Sequence, residues 1–67
     1  MLLNSMSPIE IRILQALRQS KDISIYKGYT GTFKKLNDAG YIKCYFDEQG
    51  DVIKAKIAPL GKKIVLP

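Results

Sequence analysis

The chain has 67 residues, 46% of them hydrophobic and 25% charged, as in an ordinary globular domain. Its longest apolar stretch is far below the roughly 20 residues that cross a bilayer, no signal-peptide layout opens it, and its single cysteine cannot form an internal disulfide. We therefore expect one domain over residues 1–67, located in the cytoplasm and without membrane contact. Eleven Lys and Arg against six Asp and Glu give a net charge of +5, which favours a polyanionic partner.

A first helix is predicted to begin at the segment Ser7-Pro8-Ile9-Glu10. This segment offers an N-cap, a proline at the first helical position and a glutamate that closes a capping box. Apolar residues then recur at helical spacing up to Leu17, and the pattern ends near Ser20. We expect the apolar face of this helix to be core.

The sequence is compatible with more than one conformation for residues 20–32. Ile23 and Ile25 alternate as in a short strand, whereas the glycines that follow discourage a long helix. The next helix buries Phe33 and Leu36. It could be capped by Thr30, or it could begin behind Ser24, which would add Ile25 and Tyr29 to its apolar stripe.

The end of this second helix is better defined. The sequence Asp38-Ala39-Gly40 places a glycine where helices commonly end in the left-handed conformation. We therefore predict a helix that ends near Ala39.

The apolar pattern then changes to a period of two, which predicts an antiparallel hairpin of residues 42–46 with 52–57. We expect Ile42, Cys44 and Phe46 to face the core together with Ile53, Ala55 and Ile57. A two-residue turn at Gln49-Gly50 and a four-residue loop from Asp47 to Gly50 are both compatible with this pattern. We favour the first, which sets Tyr45 opposite Lys54 and Lys43 opposite Lys56 on the solvent face.

The predicted core residues are Ile13, Leu17, Phe33, Leu36, Ile42 and Ile57. The apolar tail after residue 63 is expected to pack on the first helix or on another subunit. Because a chain this short can bury only about 60% of its unfolded surface, we expect a homodimer in which the apolar ends take part. These ends are Leu2, Leu3, Ile64, Val65 and Leu66.

The residue types argue against an enzyme. The chain has no histidine, so the commonest general base and metal ligand is missing. Cys44 lies in an apolar alternation and is interpreted as a core residue. The acids Asp47, Glu48 and Asp51 lack the ligand spacing of a calcium site. We predict no catalytic residue, no metal and no cofactor.

Two short stretches resemble a known family. Residues 33–42 (FKKLNDAGYI) are similar to the "L-x-x-L-x-x-x-G-L-I" ending of the recognition helix in winged helix-turn-helix regulators. Residues 57–64 (IAPLGKKI) are similar to the "L-T-x-x-G-K-x-I" that follows the wing in MarR-like regulators. The resemblance implies a minimal winged helix of α+β class, with two or three helices packed on a hairpin. It also implies a recognition helix in the major groove and a wing at the backbone or minor groove.

The chain departs from that family in two places. The segment before Leu36 is about ten residues too short for a strand, a full second helix and a turn, so the second helix is expected to be reduced to a turn or missing. The hairpin tip is acidic where the family offers Arg or Lys, and acids oppose phosphate. A looser similarity, in the Phe33-Lys34-Lys35-Leu36 helix and the short layout, links the chain to the YjhX family of small bacterial proteins reported to inhibit topoisomerase. That similarity implies a protein target.

The sequence thus predicts a non-enzymatic, double-stranded DNA-binding protein, a small transcriptional regulator that uses helix 30–39 and hairpin 42–57. The alternative is a protein-binding or inhibitory module on the same scaffold that does not bind DNA. Basic side chains, hydroxyls and an amide on the solvent sides of the two elements resemble a phosphate-tracking surface. The candidate DNA-binding residues are Thr30, Thr32, Lys34, Lys35, Asn37, Lys43, Tyr45, Lys54 and Lys56.

Overall fold

A computed structural model describes residues 6–66 of the chain. In this range three α-helices pack on one two-stranded antiparallel sheet, which confirms a small α+β fold. The elements are helix α1 (Pro8–Arg18), a 3₁₀ helix (Ser24–Tyr26), helix α2 (Thr30–Asp38), strands β1 (Ile42–Phe46) and β2 (Val52–Ile57), and helix α3 (Pro59–Lys63).

Helix α1 begins as its sequence predicts. The Ser7 hydroxyl accepts a hydrogen bond from the Glu10 amide at 3.3 Å, and the Glu10 carboxylate accepts one from the Ser7 amide at 2.8 Å. Both bonds of the capping box are therefore made. The helix ends through Ser20, whose φ of 54° places it in the left-handed region. The next amide, of Lys21, donates to the Ala16 carbonyl at 2.9 Å and closes the last turn.

The segment after α1, residues 19–29, forms neither a strand nor a first turn of the second helix. Its only regular element is the 3₁₀ helix Ser24–Tyr26, where the Asp22 carboxylate accepts hydrogen bonds from the Ser24 amide and hydroxyl. These bonds hold the pKa of Asp22 below its usual value. The proposed extension of the apolar stripe is wrong, because Ile25 and Tyr29 are exposed; Ile23 and Tyr26 pack against the core instead.

Helix α2 ends as predicted but begins differently. Its N-cap is Tyr29, without a side-chain cap bond, so Thr30 is the first helical residue and not the cap. The Thr30 hydroxyl donates to the Lys27 carbonyl at 3.3 Å, which ties it to the preceding turn. At the other end Gly40 has a φ of 88°, and the Tyr41 amide donates to the Leu36 carbonyl at 3.0 Å. The left-handed glycine after α2 is thereby confirmed.

The hairpin has the predicted pairing over most of its length, with Tyr45 opposite Lys54 and Lys43 opposite Lys56. The two-residue turn is wrong. A bulge lies between Tyr45 and Phe46 in the ladder, and Phe46 pairs with Val52. Beyond it the Asp47 amide donates to the Asp51 carbonyl at 2.9 Å, which leaves a three-residue loop, 48–50.

The bulge also changes which residues of β2 face the core. Val52 is 5% exposed and belongs to the core, whereas Ile53, predicted to face inward, is 64% exposed. One extra residue in a strand moves its neighbours to the other face, because side chains alternate with a period of two. Gly50, with a φ of 86°, supplies the left-handed residue that such a loop requires.

One apolar cluster joins the helices to the inner face of the hairpin. Of the predicted core residues all but one are buried; Ile57 is half-buried and packs against the cluster. The cluster consists of Ile13, Leu14, Leu17, Phe33, Leu36, Ile42, Cys44 and Val52.

The C-terminal segment packs on α1 and the core. The Arg18 guanidinium donates hydrogen bonds to the carbonyls of Gly61 (2.7 and 3.0 Å), Lys62 (3.3 Å) and Ile64. Ile64 and Leu66 pack against the cluster, while Val65 is 72% exposed. Leu2 and Leu3 lie outside the described residues, so the homodimer stays a prediction.

Candidate nucleic-acid interface

The outer face of the hairpin brings four of the predicted DNA-binding residues together. Lys43 pairs across the strands with Lys56, and Tyr45 pairs with Lys54. All four side chains are exposed. We call this set, Lys43, Tyr45, Lys54 and Lys56, the hairpin face.

The tyrosine lies between two lysines of the hairpin face. The Nζ atoms of Lys43 and Lys54 lie 6.0 and 5.9 Å from the centre of the Tyr45 ring, within the range of a cation–π interaction. Tyr45 is 41% exposed, so part of its side chain remains open to a ligand. The Lys43–Lys56 pair places like charges opposite each other, which costs a few tenths of a kcal/mol unless an anion lies over them.

The lysines of helix α2 belong to a separate surface. Phe33 and Leu36 of α2 share the core cluster with the inner face of β1, so α2 lies on the side of the sheet away from the hairpin face. Lys34 is exposed. Lys35 is 72% exposed, and its Nζ atom lies 3.8 Å from the buried Glu10 carboxylate. That ion pair offsets part of the charge that Lys35 could offer to a phosphate.

Two of the three polar candidates on α2 have structural partners. The Asn37 side-chain oxygen accepts a hydrogen bond from the Cys44 amide at 2.9 Å, and Asn37 is half-buried. The Thr30 hydroxyl is bound to the Lys27 carbonyl, and Thr32 is half-buried. Of the nine candidates, therefore, four gather on the hairpin and five are spread over a helix whose polar groups largely serve the fold.

One of the three acids at the hairpin tip, Asp47, has a structural role. One oxygen of the Asp47 carboxylate accepts hydrogen bonds from the amides of Gln49 (3.0 Å) and Asp51 (2.9 Å). Asp47 thus stabilises the loop. The side chains of Glu48 and Asp51 are exposed and have no such role among the described contacts.

Two further lysines lie where the sequence left the conformation open. A groove of about 590 Å³ runs between the segment after α1 and strand β2. Lys21 and Lys27 border it on one side, and Lys54 and Lys56 of the hairpin face border it on the other. Lys21 and Lys27 were not among the candidate residues predicted from the sequence. No local sequence pattern relates them to the hairpin, and only the tertiary structure brings them near Lys54 and Lys56.

The thiol of Cys44 is poorly suited to nucleophilic chemistry. Its side chain is buried in the core cluster, and burial raises the pKa of the thiol to about 11, so it stays protonated at neutral pH. The Sγ atom lies 3.8 Å from the Phe33 carbonyl oxygen. Across residues 6–66 no group of three or more Cys, Asp or Glu side chains is placed to hold a metal ion.

Comparison with known proteins gives no match to a family model, to a curated protein or to a solved structure. In the part of the chain that the structure describes, no helix is both long and apolar enough to cross a membrane. The site must therefore be interpreted from its own geometry.

Proposed function

We propose that this protein is a non-enzymatic DNA-binding protein, a small transcriptional regulator of the cytoplasm, whose hairpin face contacts the phosphate backbone of duplex DNA. The observation behind the proposal is the grouping of Lys43, Lys54 and Lys56 around Tyr45 on one exposed face. None of the acids in residues 6–66 belongs to this face, since the tip acids follow the last paired residue of β1.

The side chains suit backbone contact better than base reading. Lysine is a flexible point charge that follows phosphates, and a tyrosine hydroxyl can donate to a phosphate oxygen. The repulsion within the Lys43–Lys56 pair would be relieved by a bound phosphate, so binding also stabilises the face. Helix 30–39 would add Lys34 and Lys35 as a second, separate contact. Asn37 and Thr30 are less suited to reading bases, because their oxygens have partners within the fold.

The non-enzymatic part of the proposal rests on residue chemistry. The sequence has no histidine, and the one thiol is buried with a raised pKa. Neither of the usual activated nucleophiles, a serine or a cysteine beside an imidazole, can therefore be assembled from this chain alone.

A binding assay with matched charge changes tests the proposal. Fluorescence anisotropy of a labelled duplex at about 50 mM salt is a condition in which non-specific DNA binders reach micromolar affinity. We expect Lys43→Gln with Lys56→Gln to weaken binding by at least about tenfold, because two phosphate contacts are lost. The control, Lys62→Gln with Lys63→Gln, removes the same charge from α3 and should have a much smaller effect. Equal losses in both variants would show attraction to net charge alone and would refute the hairpin face as the site.

The acidic tip provides an independent test, because neutralising an acid there should change duplex affinity in the opposite direction from neutralising a lysine. Glu48→Gln should tighten duplex binding, because it removes an exposed negative charge from the end of the hairpin. Asp47 is unsuitable for this test because its carboxylate holds the loop. A Glu48→Gln variant that binds more weakly than the wild type would place DNA on another surface.

A further inference from the structure

The two edges of the hairpin sheet differ in how their outward-pointing backbone groups are covered. On β1 the outward-pointing amide of Cys44 is bound by the Asn37 side chain. Within residues 6–66 no side chain caps the outer edge of strand β2 in this way, and that edge borders the 590 Å³ groove opposite the segment after α1. An open strand edge offers unpaired backbone donors and acceptors to another chain.

The register identifies which backbone groups of β2 point into the groove. The Cys44 amide points away from β2, so the Cys44–Ala55 pair is one that exchanges no backbone hydrogen bonds. The same holds for the Ile42–Ile57 pair two residues along, in agreement with the bond of 3.0 Å from the Ala58 amide to the Tyr41 carbonyl. The amides and carbonyls of Ala55 and Ile57 therefore point outward, spaced as an added strand requires.

The charge around this edge indicates the chemistry of the occupant. Lys21 and Lys27 on one border and Lys54 and Lys56 on the other make the groove strongly basic, against one acid, Asp22. A second copy of β2 would place its own lysines beside these and would be repelled. An acidic segment would be attracted. The groove floor is apolar, with the half-buried Ile23, Ala55 and Ile57 above the buried core, and suits the inward side chains of a strand.

We propose that the groove binds an extended acidic peptide, which adds to the free edge of β2 as a third strand. Its backbone pairs with Ala55 and Ile57, its acidic side chains lie beside Lys54 and Lys56, and its alternate apolar side chains face the groove floor. Strand addition of this kind obtains affinity from main-chain hydrogen bonds and specificity from alternate side chains. The partner class is a protein with an exposed acidic, strand-forming segment.

A synthetic probe tests the proposal directly, without DNA. The probe is an acetylated and amidated heptapeptide of alternating glutamate and valine, titrated into ¹⁵N-labelled protein and followed by NMR. We expect the amide signals of Ala55 and Ile57 to shift most. A peptide of the same composition with its glutamates and valines in two blocks should bind more weakly. Absence of shifts at about 1 mM peptide, well above the dissociation constants of ordinary peptide modules, would overturn the proposal.

Two variants separate backbone pairing from charge. Ala55→Pro removes only an outward amide, which edge strands tolerate, and should weaken the peptide about three- to tenfold. Lys54→Glu should weaken it by about tenfold or more, because like charges would then face each other. The matched control Lys63→Glu changes an exposed lysine of α3 that does not line the groove, and it should leave peptide affinity within about twofold.

A probe methylated on alternate backbone nitrogens tests strand addition even if Ala55→Pro does not fold. It keeps the charge but lacks the donors for pairing, so its affinity should fall. If it binds as tightly as the parent peptide, the interaction is electrostatic alone and strand addition is wrong. Because no DNA is present, a failure of DNA binding would leave this test unaffected.

Discussion

Arg18 connects the two ends of the fold through one side chain. Its guanidinium donates to three carbonyls at the end of α3, which would otherwise have no helical partner. A planar cation with several donors suits this position, and it also complements the negative end of the helix. The bonds bring the tail beside α1, as the apolar pattern of the tail predicted in outline.

Replacing Arg18 should therefore destabilise the protein. We expect Arg18→Ala to lower the free energy of unfolding by about 1.5 to 3 kcal/mol, the usual contribution of hydrogen bonds to a charged group. Urea denaturation measures the change. Arg12→Ala, at an exposed position of the same helix, is the control and should change stability by less than about 0.5 kcal/mol. Similar values for the two variants would mean that the α3 contact contributes little.

Cys44 gives a prediction for alkaline pH. Burial raises the pKa of its thiol from 9.0 to about 11 in the folded state, so the unfolded thiol ionises first as the pH rises. The contribution of Cys44 to stability is thus fully present below pH 9.0 and is lost as the pH rises to about 11. We expect the stability difference between the wild type and Cys44→Ala to shrink between about pH 9 and about pH 11 in urea titrations. A constant difference would show that the thiol is not desolvated.

At the scale of elements, α1 and α2 both end at a residue in the left-handed conformation, but the residue types differ. Helix α2 ends on Gly40, which takes the left-handed conformation without strain, whereas α1 ends on Ser20 with a φ of 54°. A residue with a Cβ atom pays about 1 to 2 kcal/mol for that conformation. The end of α1 therefore contains removable strain.

Ser20→Gly should stabilise the protein. We expect a gain of about 0.5 to 1 kcal/mol in the free energy of unfolding, because relief of the left-handed strain exceeds the added freedom of glycine in the unfolded chain. The neighbouring Gln19 has an ordinary φ of −96°, so Gln19→Gly should destabilise. Thermal melts of both variants check the opposite signs. If Ser20→Gly also lowers the melting temperature, Ser20 must contribute through its side chain.

Local signals predicted the start of α1 and the end of α2 well, but the start of α2 and the hairpin turn poorly. The capping box at Ser7 and the glycine at position 40 act through bonds within a few residues, so the sequence alone specifies them. The choice between a two-residue turn and a bulge depends on whether Val52 or Ile53 enters the core. Both are β-branched and apolar, and only the packing of β2 against α1 and α2 decides between them.

At the scale of the whole molecule, stability depends on one small cluster. Leu36 of α2 is 1% exposed and belongs to this cluster together with residues of α1 and the hairpin. We expect Leu36→Ala to cost about 2 to 5 kcal/mol, enough to unfold much of a domain of this size at 37 °C. Circular dichroism melts measure the loss. Leu60→Ala, at an exposed position on α3, is the control. A Leu36→Ala variant that melts with the wild type would mean that the core lies elsewhere.

The candidate site was predicted in part, for a physical reason. Alternation along a strand determines which residues share a face, so Lys43, Tyr45, Lys54 and Lys56 could be grouped from the sequence. The placement of that face relative to α2, the Asn37 bond to β1, and the approach of Lys21 and Lys27 to β2 are tertiary contacts. No local pattern encodes them.

The salt dependence of duplex binding tests the proposed function most directly. Binding through lysine–phosphate contacts releases counterions, so log affinity should fall linearly with log salt concentration. Titrations between about 50 and 200 mM salt should show a steep slope for the wild type. The slope should decrease by about one for each of Lys43, Lys54 and Lys56 that is changed to glutamine. An unchanged slope in the triple variant, or no detectable binding of the wild type at about 50 mM salt, would contradict DNA binding by the hairpin face.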